Sequence, residues 1–176
     1  LDAGDNFFSR QREISPEHPG RRYVGICAPG IHQKSILIRT YIALLAAAQN
    51  LYNTYGVAAD PWMTLVGYFN ALRELGGMRR VVDDEVTTRL RMKTDRFPEP
   101  RYLDPGRLEE LTSRINATDI PRVLDRLETP FEPIREPERG REASGRPRRS
   151  QSPVDVLLAT NMISVGVDVQ RLGLMV

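Results

Sequence analysis

Toward its C-terminal side the sequence gathers residues suited to gripping a sugar-phosphate ligand: Thr160, Asn161, Ser164, Gly166 and Asp168. A hydroxyl and an amide offer neutral hydrogen bonds, glycine lets the backbone come close, and a carboxylate accepts from a ribose hydroxyl. They follow the apolar run Val154–Ala159, and a second apolar run, Leu172–Val176, begins just beyond them. That order reads as strand, ligand-contacting loop, strand. In an open parallel sheet, ligands bind outside the carboxyl ends of the strands, where Thr160 would stand. The same spacing also fits a plain strand-to-helix turn capped by Thr160 and Asn161. The residues alone leave both readings open.

Two further constellations have the same form. Met63–Phe69 is a strand candidate ending at Asn70, with a helix predicted from Ala71 to Leu75. A new helix terminus offers unpaired N–H groups to a phosphate, and Asn70 is either a phosphate ligand or an ordinary N-cap. Leu111-Thr112-Ser113-Arg114 supplies another polar edge, in which Thr112 and Ser113 are candidate phosphate contacts. Gly25–Gly30 has the glycine spacing of a phosphate-binding loop, but Ile31 and His32 stand where such a loop needs Lys and Ser/Thr. Asp83-Asp84-Glu85 and Glu109-Glu110 are expected on solvated helix faces. The arginines of the stretch from Arg135 to Arg149 alternate with glutamates and are expected in a solvated loop.

The elements that must position these groups alternate between strand and helix. Residues 1–22 are polar and read as a connecting segment, followed by a short buried strand at Tyr23–Ala28 that contains Cys27 as a small core residue. A helix is predicted from Gln33 to about Tyr55 on apolar spacing and an alanine run. The helix after Asn70 is expected to pause at Gly76-Gly77 and resume from Met78 to Met92. Phe97–Gly106 is a proline-bearing loop, and Leu108–Ile115 is ambiguous between helix and strand. Asn116 or Thr118 could cap a helix over Ile120–Leu127, with Pro121 tolerated in its first turn. Pro130–Pro153 has almost no apolar residues and is expected to be a mobile loop. Strands that are apolar throughout indicate a parallel sheet covered on both faces.

Composition sets outer bounds. The 176 residues are 40% hydrophobic and 27% charged with a net charge of +2, which suits a globular domain and gives no global field for nucleic acid. Nearly all positive charge is arginine, a bias that a GC-rich coding sequence explains. One cysteine excludes an internal disulfide, and His18 and His32 lack partners at metal-ligand spacing. No signal peptide opens the chain, and no apolar stretch approaches the ~18 residues of a membrane span, so a cytoplasmic location is expected. Both ends look like cuts.

The stretch "ATNMISVGVDV" resembles motif V of superfamily 2 helicases, and "TLVGYFN" followed by "ALREL" is similar to their motif IV. The order of motif IV, a Leu-Thr-Ser-Arg element and motif V resembles the second of the two RecA-like motor domains. The wording across residues 62–176 most resembles the large helicase-like proteins of DISARM-type phage-defence systems. The resemblance implies an α/β fold: a partial RecA-like parallel sheet flanked by helices, with a helical connecting region over residues 1–61 and the truncated motor domain over 62–176. It implies nucleic-acid contacts at Asn70, Thr112, Ser113, Thr160 and Asn161, and ATP contacts at Gly166 and Asp168. Many members carry Arg or Lys where this chain has Val165. ATP and Mg2+ would serve the intact protein, with the Mg2+ ligands outside this fragment, and the partners would be nucleic acid, DNA ahead of RNA, and the first RecA-like domain. The fragment alone would not hydrolyse ATP. The competing expectations are a non-catalytic α/β interaction module and a nucleotide-binding enzyme built on Gly25–Gly30.

Overall fold

The computed structural model describes residues 15–17, 20–134, 152–160, 169 and 171–176. Leu1–Ile31 and His32–Val176 are separate compact units. In the first, the strand expected at Tyr23–Ala28 does not form. The segment has no regular structure, Tyr23, Val24 and Ile26 are exposed, and Cys27 is exposed rather than a core residue. Gly25 and the Pro29-Gly30 break leave too short a run for a strand, and no sheet edge pairs with it among the described residues.

In the second unit, α1 (Gln33–Tyr55) buries Ile38, Tyr41, Leu45 and Ala48, which recur every three or four residues as one helix face requires. It ends at Gly56, whose positive φ of 58° and N–H bond to the Tyr52 carbonyl terminate it. The strand β1 (Leu65–Tyr68) follows, then α2 (Leu72–Val81), a π-helical turn (Val82–Val86) and α3 (Thr87–Leu90). The expected pause at Gly76-Gly77 is absent. Two glycines cost about 1 kcal/mol each relative to alanine. Burial of Leu75, Met78, Val81 and Val82 contributes roughly 1.5–3 kcal/mol per side chain and outweighs that cost. The wide turn is held by the Thr87 hydroxyl, which donates to the Val82 carbonyl at 2.7 Å.

The remaining elements are β2 (Leu108–Leu111), α4 (Ile120–Glu128), β3 (Val156–Ala159) and β4 (Leu174–Met175). The sheet has the order β2-β3-β1-β4 and is parallel throughout. The fold is therefore α/β, a parallel sheet flanked by helices, as a RecA-like fold requires. One face packs on α1, α2 and α3 through Leu65, Leu108, Val156 and Leu158, while the other packs on α4 through Val66, Leu111, Leu157 and Ala159. Because both faces are covered, β1 and β3 are apolar without alternation. Gly67 in β1 is a forced choice, since a Cβ there would collide with the buried Tyr41 hydroxyl.

Leu108–Leu111 shows what local pattern missed. It looks like a helix start, yet it is a strand paired in register with β3, and its glutamates are not a solvated helix face. Glu109 meets Arg126 of α4 on one side of the sheet, and Glu110 meets Arg79 of α2 on the other.

Candidate nucleic-acid interface

Register brings the carboxyl ends of three strands level: Tyr68 lies opposite Ala159, which lies opposite Leu111. Thr112 and Thr160 therefore leave the sheet at equivalent positions on adjacent strands, and the Thr160 N–H donates to the Leu111 carbonyl at 3.2 Å. On the other side the Phe69 N–H donates to the Ala159 carbonyl at 2.8 Å, which fixes the path toward Asn70. Asn70 and Ser113 are exposed; Thr112 and Thr160 are 4% and 8% exposed, so each presents only a small part of itself. The Thr112 hydroxyl accepts from the Arg114 N–H at 3.3 Å and tightens the turn after β2. Asn161, Gly166 and Asp168 lie outside the described residues.

Asn70 does not cap α2. The N-cap is Ala71 in extended conformation, and no side chain bonds to the first turn. Among the described residues the amide has no hydrogen-bond partner, and the helix terminus lacks the side-chain cap that usually satisfies its N–H groups. Asn116 and Thr118 likewise do not cap α4, whose N-cap is Asp119 without a side-chain bond. Its first turn tolerates Pro121, which has no N–H to leave unpaired.

The amino ends of the same strands are built from buried ions. Arg101 is almost fully buried and donates to the carbonyls of Leu45 at 3.2 Å and Met63 at 2.6 Å and to Asp155 Oδ1 at 3.0 Å. Arg126 donates to the Ser152 carbonyl at 2.9 Å and the Gly106 carbonyl at 2.6 Å, besides pairing with Glu109. Arg171 grips Asp60 with two bonds of 2.7 and 2.6 Å and also reaches the Leu127 carbonyl at 2.9 Å. Thr64 continues the tie by donating to the Val154 carbonyl at 2.7 Å.

The electrostatics follow from depth. Burial would raise the Asp60 carboxyl, but hydrogen bonds from Arg171 and from the Phe131 N–H, with the Arg171 charge, hold it below its ordinary value. At Asp155 burial wins and pushes the carboxyl up against the pull of Arg101 and Arg107, and it lowers Arg101 in turn. The Asp155 Oδ2 has no hydrogen-bond partner, although Arg107 lies 4.0 Å away.

Sequence reasoning missed this margin. Arg101 sits in a proline-bearing loop without periodicity, and Asp155 interrupts an apolar run where a charge has no obvious partner. The arginine bias is at least partly structural: one planar guanidinium with five donors can satisfy two carbonyls and a carboxylate together, which lysine cannot do in the same geometry.

An apolar hollow lined by Leu51, Tyr55, Ala58, Ala59 and Trp62 lies where α1 runs toward β1. Among the described residues, no helix is long and apolar enough to cross a membrane.

No family model matches the chain. Across its whole length, over 180 aligned residues, the chain is 41% identical to the DISARM protein DrmA of Bacillus paralicheniformis, and it spans 14% of that protein's length.

Proposed function

We propose that this chain is part of the second RecA-like domain of a superfamily 2 helicase or translocase that acts in phage defence, as the name of its relative suggests. The observation that carries the reading is the level placement of Thr112 and Thr160 at one sheet margin, with the spare amide of Asn70 beside them. Neutral donors at the ends of parallel strands suit a phosphodiester backbone. Asn70, Thr112, Ser113, Thr160 and Asn161 would hold the strand, with DNA the favoured partner. Because phosphates carry no sequence, such contacts let a motor step along any strand.

Gly166 and Asp168 would form one wall of an ATP cleft, the glycine by close backbone approach and the carboxylate by accepting from a ribose hydroxyl. The other wall would come from the first RecA-like domain. Mg2+ would be held elsewhere in the intact protein. ATP supplies the driving force for stepping; this chain would contribute track and wall, and would not hydrolyse it alone, because phosphoryl transfer needs positioned metal and transition-state cations.

The test uses the full-length protein. Thr160→Ala is expected to weaken stimulation of ATP hydrolysis by single-stranded DNA, and Asp168→Ala to raise the KM for ATP. Unchanged kinetics in both variants would overturn the reading and leave a non-catalytic α/β interaction module.

A further inference from the structure

Two arginines beside the proposed track behave unlike those of the opposite margin. Arg73 stands in the first turn of α2, three residues beyond Asn70, and Arg114 stands two residues beyond Thr112. Both are exposed. Arg101, Arg107, Arg126 and Arg171 each face a carboxylate, whereas Arg73 and Arg114 have no ion-pair partner among the described residues. Glu110, the carboxylate on β2 nearest to Arg114 in sequence, is already taken by Arg79 at 2.9 Å.

The position of Arg73 is electrostatically awkward. A cation in the first turn opposes the helix dipole, and α2 has no side-chain cap to offset it, with Glu74 as its one acidic first-turn residue. An anion bound beside that turn would remove the conflict. Arg114 is better fixed, because its own N–H donates to Thr112 and sets the turn on which it sits. The strands leading to the two arginines, β1 and β2, flank β3, so they lie roughly 10 Å apart at the usual strand spacing. One phosphate cannot serve both.

We infer that Arg73 and Arg114 are additional phosphate contacts, on either side of β3, which meet different phosphates of one nucleic-acid strand. The inference rests on the function proposed above and adds the charge that Asn70, Thr112, Ser113 and Thr160 lack. Neutral hydrogen bonds position a strand without displacing counterions, while each guanidinium that neutralises a phosphate releases one.

Salt dependence reads this directly. The full-length protein is titrated against fluorescein-labelled oligothymidylate over a range of KCl concentrations, and log K is plotted against log salt. Arg73→Ala and Arg114→Ala are each expected to flatten the slope by roughly 0.7, the double variant by roughly 1.4, and Arg→Lys at either site to keep the slope of the parent protein. A double alanine variant with an unaltered slope, whether or not its affinity falls, would overturn the inference, even if Thr160→Ala still weakens binding. Absence of salt-dependent binding by the parent protein would overturn this inference and the function it rests on together.

Discussion

At the amino ends of its strands the sheet is tied by arginines sunk among carbonyls and carboxylates; at the carboxyl ends it offers hydroxyls and an amide, and Arg73 and Arg114 beside them have no ion-pair partner among the described residues. Arg101, Arg126 and Arg171 each join segments far apart in the sequence, so that margin works as a frame. Asn70 binds nothing within the described unit, and Ser113 faces solvent. The contrast teaches where rigidity and availability are separated. Groups committed to holding a fold are poor ligands, so the proposed track would benefit from another edge of the sheet bearing the structural load.

The contrast fails if the buried ions prove dispensable. Asp155→Ala would leave Arg101 and Arg107 buried without their counter-charge and is expected to cost about 3–5 kcal/mol in urea unfolding. Arg101→Met combined with Asp155→Leu should cost clearly less than the sum of the single changes, because the two residues share one interaction. Additive losses would mean that the pair is not a unit.

A smaller effect separates the margins by pH. The folded-state pKa of Asp60 lies below its ordinary value of 3.8, so its contribution is present above 3.8 and is lost as pH falls through the lower, folded value. The stability difference between the parent protein and Asp60→Asn should therefore be largest near neutrality and shrink below about pH 3.8. A gap that stays constant down to acid unfolding would remove the Asp60–Arg171 pair from the frame.

The smallest expected effect sharpens the comparison most. An N-cap asparagine replaced by alanine typically costs about 1 kcal/mol, whereas an exposed side chain that bonds to nothing costs within about 0.5 kcal/mol. Asn70→Ala should fall in the second class when the unfolding midpoint is measured, since Ala71 holds the cap position. A full capping loss would return Asn70 to the structural residues.

The sequence carried the helix α1 and the strands β1 and β3 plainly, because their apolar spacing or length exceeds what a turn can sustain. It also marked two of the polar residues that end up along one margin, since Thr160 and Asn70 each follow an apolar run directly, whereas Thr112 follows the mixed segment Leu108–Leu111. Tyr23–Ala28 shows the limit: an apolar segment becomes a strand only when an edge receives it, and that partner is not a local property. Leu108–Leu111 shows the converse, where two glutamates masked a strand whose pairing with β3 and whose arginines, Arg79 and Arg126, come from distant segments. Long-range ion pairs leave no periodic trace, so the amino margin could not be read in advance.

Asp60 accepts from the Phe131 N–H at 2.6 Å, and Arg126 holds the Ser152 carbonyl at 2.9 Å. Both flanks of the polar stretch between Phe131 and Ser152 are therefore fastened to the framework independently of whatever joins them. Residues 135–151 lie outside the described residues, and a change of length between the two anchors is expected to leave the sheet's amino margin in place, because closure entropy grows only slowly with the number of residues between fixed ends.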